Sequence, residues 1–307
     1  MNIFIPKTQE DWIIDRIRNE WYAFNSNCST KFIFNSNIIW ILAPWNWKKV
    51  PKRLLKKKKV LCTYHHLDLN SNVDNTFKNF KELDYYVDEY HSISKKTTED
   101  LKKLTNKRIN NIPIWINPKI WFYISEKERL REKYKFEKKD FLIGSFQRDT
   151  EGVDLTSPKL IKGPDIFVEI IKDLIKKNKN IKIVLTGKRR QYIIGELKKY
   201  KIPYVYFEMV DISELNELYN ILDLYIVSSR IEGGPQAIVE CGITKTPIIS
   251  TDVGIAPEIL SKKSIYQHID KNYLLSEPDV NTAYNNSKKL LIDNINQEYL
   301  RMFKELL

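Results

Sequence analysis

The chain has 307 residues, with 51 Lys and Arg against 39 Asp and Glu for a formal net charge of +12. That length suggests two domains more readily than one, and a hydrophobic share of 42% is enough for ordinary globular cores, which argues against a disordered or low-complexity chain. Cys28, Cys62 and Cys241 lie far apart with no CxxC pair, so the sequence suggests neither a disulfide framework nor a cysteine zinc site, and a reducing cytoplasm is the default.

The opening "MNIFIPKTQEDWIID" carries charge too early for a signal peptide, and no apolar run approaches the roughly 20 residues of a membrane span. A cytoplasmic protein is expected, peripheral at the inner membrane face at most. Residues 1–140 hold 28 Lys and Arg against 17 Asp and Glu, a net of +11, whereas residues 141–307 hold 23 against 22, a net of +1. All nine glycines fall at Gly144 or later, and all seven tryptophans between Trp12 and Trp121. Two modules with different work explain the three shifts together.

In chain order, "NIFIP" reads as a strand and "EDWIIDRIRNEWYAF" has apolar residues at helical spacing. "KFIFN", "IIWILAP" and "KVLCTYH" read as strands, the last after the basic run "KRLLKKKK". "YYVDEYHSIS" is a further strand, with Thr97 or Thr98 as the cap of the helix "TEDLKKLTN". "NIPIWINP" is a strand end or connector, and "SEKERLREKYKF" a charged helix just past the domain boundary.

The second half alternates more clearly. "DFLIGSF", "IKIVLTG", "PYVYFEMV", "LYIVSS" and "TPIIST" are strands, interleaved with the helices "GPDIFVEIIKDLIKKN", "RQYIIGELKKY", "SELNELYNIL" and "PQAIVECGIT". "APEIL" is a short helix, and "NTAYNNSKKLLIDNINQEYLRMFKELL" closes the chain as one or two long ones. Such alternation predicts a parallel, doubly wound sheet covered on both faces.

In such sheets ligands bind beyond the carboxyl ends of the strands. "LYIVSSRIEGGPQAIVECG" offers a strand, a short loop and a helix starting near Pro235. Gly233 and Gly234 leave the backbone bare to a ligand, and amides at a helix start favour phosphate. Glu240 stands among Ala237, Ile238, Val239 and Cys241, where a carboxylate is costly to bury unless something hydrogen-bonds to it. A sugar or ribose diol supplies two hydroxyl donors. The plainer alternative has Glu232 complementing the helix dipole and Glu240 on a solvated face.

"SSRIEGGPQAIVECG" followed by "TPIISTDVGIAPEIL" resembles the group 1 glycosyl transferases of the GT-B fold, the large retaining family with an E-x7-E motif. "IGSFQR", "KGPDIFVEII", "KIVLTG" and "SELNELYNILDLYIVSS" match further family elements in order, while the first half matches weakly, through "VLCTYHHLD", "EYHSIS" and "NIPIWINP". The resemblance implies two Rossmann-like doubly wound α/β domains facing a cleft: an acceptor-side domain over 1–122, a donor domain over 123–282, and a C-terminal helix, about 283–307, packing on the first. It implies that Glu232 faces the donor sugar, that Glu240 binds the ribose, and that Arg148 and Lys162 hold the diphosphate. Gly233 and Gly234 would offer amides, and main chain near Met209 and Val210 would contact the base.

Independently of the resemblance, a departing diphosphate gathers negative charge that fixed cations and helix amides stabilise. The sequence has no D-x-D pair, so no metal or other cofactor is expected, only a nucleotide diphosphate sugar as co-substrate. "DTEGVDLTSPKLI" lengthens the spacing between Arg148 and the lysine, leaving Lys159 beside Lys162 as the phosphate ligand, with Lys162 favoured because Gly163 follows it. The glycine-rich loop usual after the family's first strand is missing from "NIFIPKTQEDW".

In the first module His66, ahead of His65, is the candidate near the donor sugar, against a structural hydrogen-bonding role. "GKRRQ" at 187–191 could add charge near the diphosphate or base, or form a solvated helix start. "PWNWKKVPKRLLKKKK" suits an anionic membrane surface touching 45–59, nucleic acid, or plain solvent. The expected activity is metal-independent transfer of a sugar from a nucleotide diphosphate sugar to a hydroxyl of a glycan or lipid-linked acceptor, with the retention that the family resemblance implies. The alternatives are a GT-B enzyme acting on DNA and a non-catalytic nucleotide-sugar or anion binder.

Overall fold

A computed structural model describes residues 1–8, 13–69, 73–267 and 272–307, with backbone alone for 73–76. The first residues of the expected helix "EDWIIDRIRNEWYAF" lie outside the described residues. Two compact units are present: Met1–Trp115 with Asp293–Leu307, and Ile116–Ile292.

The first unit holds the strands β1 (Ile3–Phe4), β2 (Ile38–Ile41), β3 (Lys59–Tyr64), β4 (Glu89–Ser92) and β5 (Ile109–Asn111). They form one parallel sheet in the order β1-β2-β3-β4-β5. The helices are α1 (Ile13–Phe24), α2 (Lys52–Leu55), α3 (Val73–Asp84) and α4 (Lys95–Lys102), with residues 293 onward of α12 (Ile292–Leu306). Every residue of β2, "IIWI", is buried, the composition that a parallel strand covered on both faces requires.

The tryptophans collected in the first half are mostly core. Trp21, Trp40 and Trp115 are fully buried and cluster with one another and with Tyr299 and Phe303 of α12 at ring-centroid distances of 5.0–6.3 Å. The Trp40 indole donates to Thr63 Oγ1 at 2.8 Å, which lies 2.9 Å from His91 Nδ1, while His91 Nε2 is 2.7 Å from the Ile112 carbonyl. A carbonyl only accepts, so Nε2 carries the proton and Nδ1 accepts from the threonine hydroxyl. Burial pushes the His91 pKa down to about 4, keeping the ring neutral in this chain of bonds.

The second unit holds β6 (Phe141–Ser145), β7 (Ile181–Thr186), β8 (Tyr204–Phe207), β9 (Leu224–Val227), β10 (Ile248–Thr251) and β11 (Ile265–Tyr266), parallel in the order β11-β10-β9-β6-β7-β8. Its helices are α5 (Lys127–Lys133), α6 (Pro164–Lys177), α7 (Gln191–Lys199), α8 (Ile212–Ile221), α9 (Gln236–Thr244), α10 (Ala256–Ile259) and α11 (Val280–Lys288). The chain builds outward from β6 through β7 to β8, then returns to lay β9 on the other side. The topological switch point therefore lies between β6 and β9, where ligand crevices form in such sheets.

Three expectations need adjustment. "KFIFN" is not a strand: Ile33–Asn35 is a 3₁₀ turn, because Ile33 alone packs on the core and β propensity is realised only on a pleated, half-buried surface. The cap of α4 is neither Thr97 nor Thr98 but Ser94, whose Oγ accepts from the Thr97 amide at 3.3 Å. The units divide at Trp115/Ile116 and Ile292/Asp293, where the sequence suggested 122/123 and 282/283. Residues 116–122 go with the second unit because the Ile116 amide donates to the Leu290 carbonyl, the Ile292 amide donates to the Ile116 carbonyl, and Trp121 packs on Tyr219. The closing segment is two helices, of which α11 stays with the second unit.

Candidate active site

The switch point brings together the loop after β6, Phe146–Arg148, and the loop after β9, Ser228–Pro235. Gln147 Nε2 donates to the Lys162 carbonyl at 2.9 Å, Ser229 Oγ to Gln147 Oε1 at 3.3 Å, and the Arg230 amide to the Ile161 carbonyl at 2.8 Å. Gly163 opens α6 at φ +62°, and a Cβ there would stand 1.7 Å from the Ser228 carbonyl oxygen. Only glycine lets the two backbones approach this closely. A Cβ on Gly254, at φ +46°, would stand 2.0 Å from the Gly233 carbonyl oxygen, so the loop after β10 presses on the glutamate loop from the other side.

Within this frame Lys162 Nζ and Glu232 Oε1 form an ion pair, with the side chains 22% and 11% exposed. The structure thus joins two site residues that lie 70 positions apart in sequence. Arg148 and Lys159 stand near the same point. The Lys159 ammonium is held below its ordinary pKa, mostly by burial and further by the neighbouring charges of Arg148 and Lys162. Lys159 is thus repelled by both Arg148 and Lys162, and cations gathered in this way beside a helix start are chemically able to hold an anion. Both lysines weighed from the sequence stand close together, and Lys162 is the one paired with Glu232.

Glu240, on α9, is 5% exposed, and its Oε2 accepts from the Tyr219 hydroxyl at 2.9 Å. The solvated-face alternative is therefore excluded. Burial, and then the adjoining Glu240 charge, raise the Tyr219 pKa well above its ordinary value, so the hydroxyl remains a donor to the carboxylate. Gly233 is buried, Gly234 half-buried, and Pro235 occupies the N-cap position of α9. Met209, 55% exposed, and Val210, half-buried, follow β8 on the same carboxyl edge, two strands from β6.

Within "GKRRQ", Lys188 is exposed just ahead of α7, whereas Arg190 is a structural charge. Arg190 is fully buried, and its Nε bonds Asp149 Oδ2 at 2.9 Å. Burial outweighs the guanidinium and pushes the Asp149 carboxyl up to about 6. The same guanidinium reaches Ser145 Oγ and the Thr186 carbonyl, and so fixes the segment that carries Arg148.

In the first unit a cavity of about 470 Å³ opens beyond β2 and β3, with Trp45, Trp47, Tyr64, His65, His66 and Asp68 in its wall. His65 is half-buried and its Nε2 donates to the Leu42 carbonyl at 2.8 Å, which marks it as structural. His66 is exposed.

Sequence reasoning missed Tyr219 and Gln147, and it singled out the segment of Arg190 without its buried role. A hydroxyl inside the apolar face of α8 was the one available signal for Tyr219. Nothing local ties Gln147 to Lys162 and Ser229, or Arg190 to Asp149 and Ser145, which come from other segments of the unit.

The family profile described as "Glycosyl transferases group 1" matches residues 126–305. No curated protein sequence matches the chain. Among solved structures, the chain is similar to Anabaena Alr3699/HepE in complex with UDP-glucose, with a TM-score of 0.71 at 11% identity, covering 99% of both chains. It is also similar to sucrose-phosphate synthase from Thermosynechococcus elongatus, with a TM-score of 0.71 at 13% identity, covering 98% of this chain and 80% of that one. A glycosyltransferase from Rickettsia africae ESF-5 gives a TM-score of 0.61 at 16% identity, covering 98% and 83%. The two parallel α/β sheets are those of the GT-B fold, and with its profile match spanning more than half the sequence the chain belongs to the group 1 glycosyl transferases.

Proposed function

We propose that this glycosyltransferase moves a sugar from a nucleotide diphosphate sugar to a hydroxyl of a glycan or lipid-linked acceptor, with retention of anomeric configuration and without a metal ion. The observation that carries the reading is the ion pair of Lys162 with Glu232 at the switch point, flanked by Arg148 and Lys159. Breaking the glycosyl–phosphate bond puts negative charge on the leaving diphosphate, and fixed cations with the amides that open α9 offset that charge without a metal. A phosphate arriving at Lys162 takes over the ammonium and frees Glu232 for the donor sugar. Glu240, already ordered by Tyr219, accepts from the ribose hydroxyls. Gly233 and Gly234 let the donor approach the backbone, and main chain near Met209 and Val210 meets the base.

Retention rests on family resemblance. HepE was solved with UDP-glucose and with UDP, and S. aureus TarM with UDP and alpha-GlcNAc-glycerol, which supports UDP as the first nucleotide to try here. The cavity of the first unit, with His66 in its wall, is the proposed acceptor side.

Calorimetric titration of UDP, GDP and ADP into wild type and Glu240→Ala tests the reading. One nucleotide is expected to bind with a dissociation constant of about 1 μM, and Glu240→Ala to weaken it at least about tenfold. Absence of binding to all three by a folded wild type would sink the donor-site assignment.

A further inference from the structure

The basic run "PWNWKKVPKRLLKKKK" does not form one surface. Trp47, Val50, Leu54 and Leu55 are buried, and the run crosses from the carboxyl edge of the first sheet, after β2, to its amino edge, before β3. At that amino edge it meets residues the sequence does not connect with it. Phe32 and Phe34 precede β2, Lys56–Lys58 precede β3, and Tyr85 precedes β4. Because all three strands are parallel, these segments share one edge of the unit.

Contacts confirm the grouping. Lys58 Nζ donates to the carbonyls of Phe34 and Ser36, and Lys56 Nζ lies 5.4 Å from the centre of the Tyr85 ring. Phe32, Phe34 and Tyr85 are 71%, 70% and 72% exposed, yet the turn that carries the phenylalanines is ordered. The Asn35 amide donates to the Phe32 carbonyl, the Ser36 amide to the Ile33 carbonyl, and Ile33 packs on the core. Folding therefore holds two bare phenyl rings out toward solvent.

Charge says what they meet. No acidic residue occurs between Glu20 and Asp68, and carboxylates on the neighbouring elements are already engaged: Asp88 by Lys59, Glu82 by Lys48, Asp84 by Lys107, and Glu89 and Glu305 by Arg108. Lys31, Lys56 and Lys57 are left exposed around the rings.

We infer that the amino-terminal edge of the first sheet docks on a bilayer carrying anionic lipid, with Phe32 and Phe34 entering the boundary between headgroups and acyl chains and Lys31, Lys56 and Lys57 lying on lipid phosphates. Apolar rings amid lysines, with a tyrosine at headgroup depth, fit that interface. Nucleic acid fits less well, since base stacking needs an aromatic face backed by protein along a groove, whereas these rings project. Among the described residues no helix is long and apolar enough to cross a membrane, and the inferred contact is made by this surface edge. Lys58 is a positioning residue, because its ammonium ties the phenylalanine turn to the basic run.

The test is co-flotation of the full chain with vesicles of phosphatidylcholine, with and without phosphatidylglycerol, at low and high salt. Wild type is expected to float with the anionic vesicles alone and to release as salt rises. Lys56→Ala with Lys57→Ala should weaken binding about thirtyfold, at about fivefold per lysine. Phe32→Ser with Phe34→Ser should weaken it about tenfold or more while preserving the salt dependence. Neither pair lies in the proposed donor site, so nucleotide binding and melting temperature should be unchanged, which separates failure here from failure of the donor reading. The inference is overturned if wild type ignores anionic vesicles, binds neutral ones equally, or binds anionic ones regardless of both double variants. An oligonucleotide that displaces the vesicles and is insensitive to the phenylalanine pair overturns it too.

Discussion

Glu240 is the residue on which the proposed donor site turns, and its surroundings explain what a buried carboxylate needs. It lies on a helix whose neighbouring positions are apolar, so its charge depends on partners brought by the fold, among them the Tyr219 hydroxyl at 2.9 Å. A hydrogen bond to a charged group contributes about 1.5–3 kcal/mol. Tyr219→Phe keeps the ring packed against Trp121, Phe146 and Tyr225 and removes this donor alone. The expected result is a fall in stability of about 1–2 kcal/mol, with nucleotide affinity weakened about tenfold as the carboxylate loses its fixed direction. Chemical denaturation and calorimetry on the same variant measure both, and an unchanged dissociation constant would show that Tyr219 supports the fold and not the ligand. Glu240 was legible in the sequence because a charge inside an apolar helix is an anomaly. Tyr219 was not, because a tyrosine in an amphipathic helix is ordinary and its partner stands 21 positions away.

Among the elements, the glycines separate what local sequence dictates from what packing dictates. Gly163 opens α6 at φ +62° with no room for a Cβ against the Ser228 backbone, whereas Gly195 lies within α7 with nothing within 4 Å of the added atom. The same substitution should therefore act with opposite sign. Gly163→Ala forces the loops after β6 and β9 apart at a left-handed position and is expected to cost about 2–3 kcal/mol, displacing Lys162 from Glu232 and weakening nucleotide binding with it. Gly195→Ala places a better helix former on an exposed turn and should stabilise by up to about 1 kcal/mol with binding untouched. Thermal melts of the two single variants decide the matter; equal effects would mean that neither backbone conformation nor contact controls these positions. The strand–helix alternation of this unit was readable from period alone, since each buried strand is a short apolar run. "KFIFN" misled because its alternation is real but has no neighbouring strand to pair with.

For the molecule as a whole, the decisive feature is that the first unit is completed by the end of the chain. Residues 293–307 group with Met1–Trp115, and Tyr299 and Phe303 sit fully buried among Trp21, Trp40 and Trp115, the Tyr299 hydroxyl donating to the Pro113 carbonyl at 3.0 Å. The family resemblance implied a terminal helix packing on the first domain, and the sequence gathered its tryptophans in that half, but only the fold shows which aromatic side chains make the shared core. Burying one large aromatic side chain contributes about 1.5–3 kcal/mol, and truncation in a core costs about 3–5 kcal/mol. Losing two aromatics with Ile295, Met302 and Leu306, all buried, therefore exceeds the roughly 5–15 kcal/mol that holds a domain folded. The second unit keeps its own core of Ile143, Phe167, Ile170, Ile183 and Ile226. Deleting 293–307 should accordingly unfold the first unit while sparing nucleotide binding by the second. Limited proteolysis with mass mapping, run beside calorimetry, should find the first hundred residues digested, a protected fragment near 116–292, and a nucleotide affinity within about threefold of wild type. A protease-resistant fragment covering 1–115 after the deletion would mean that the tryptophan core closes without α12, and that the helix is an accessory to that unit and not part of it.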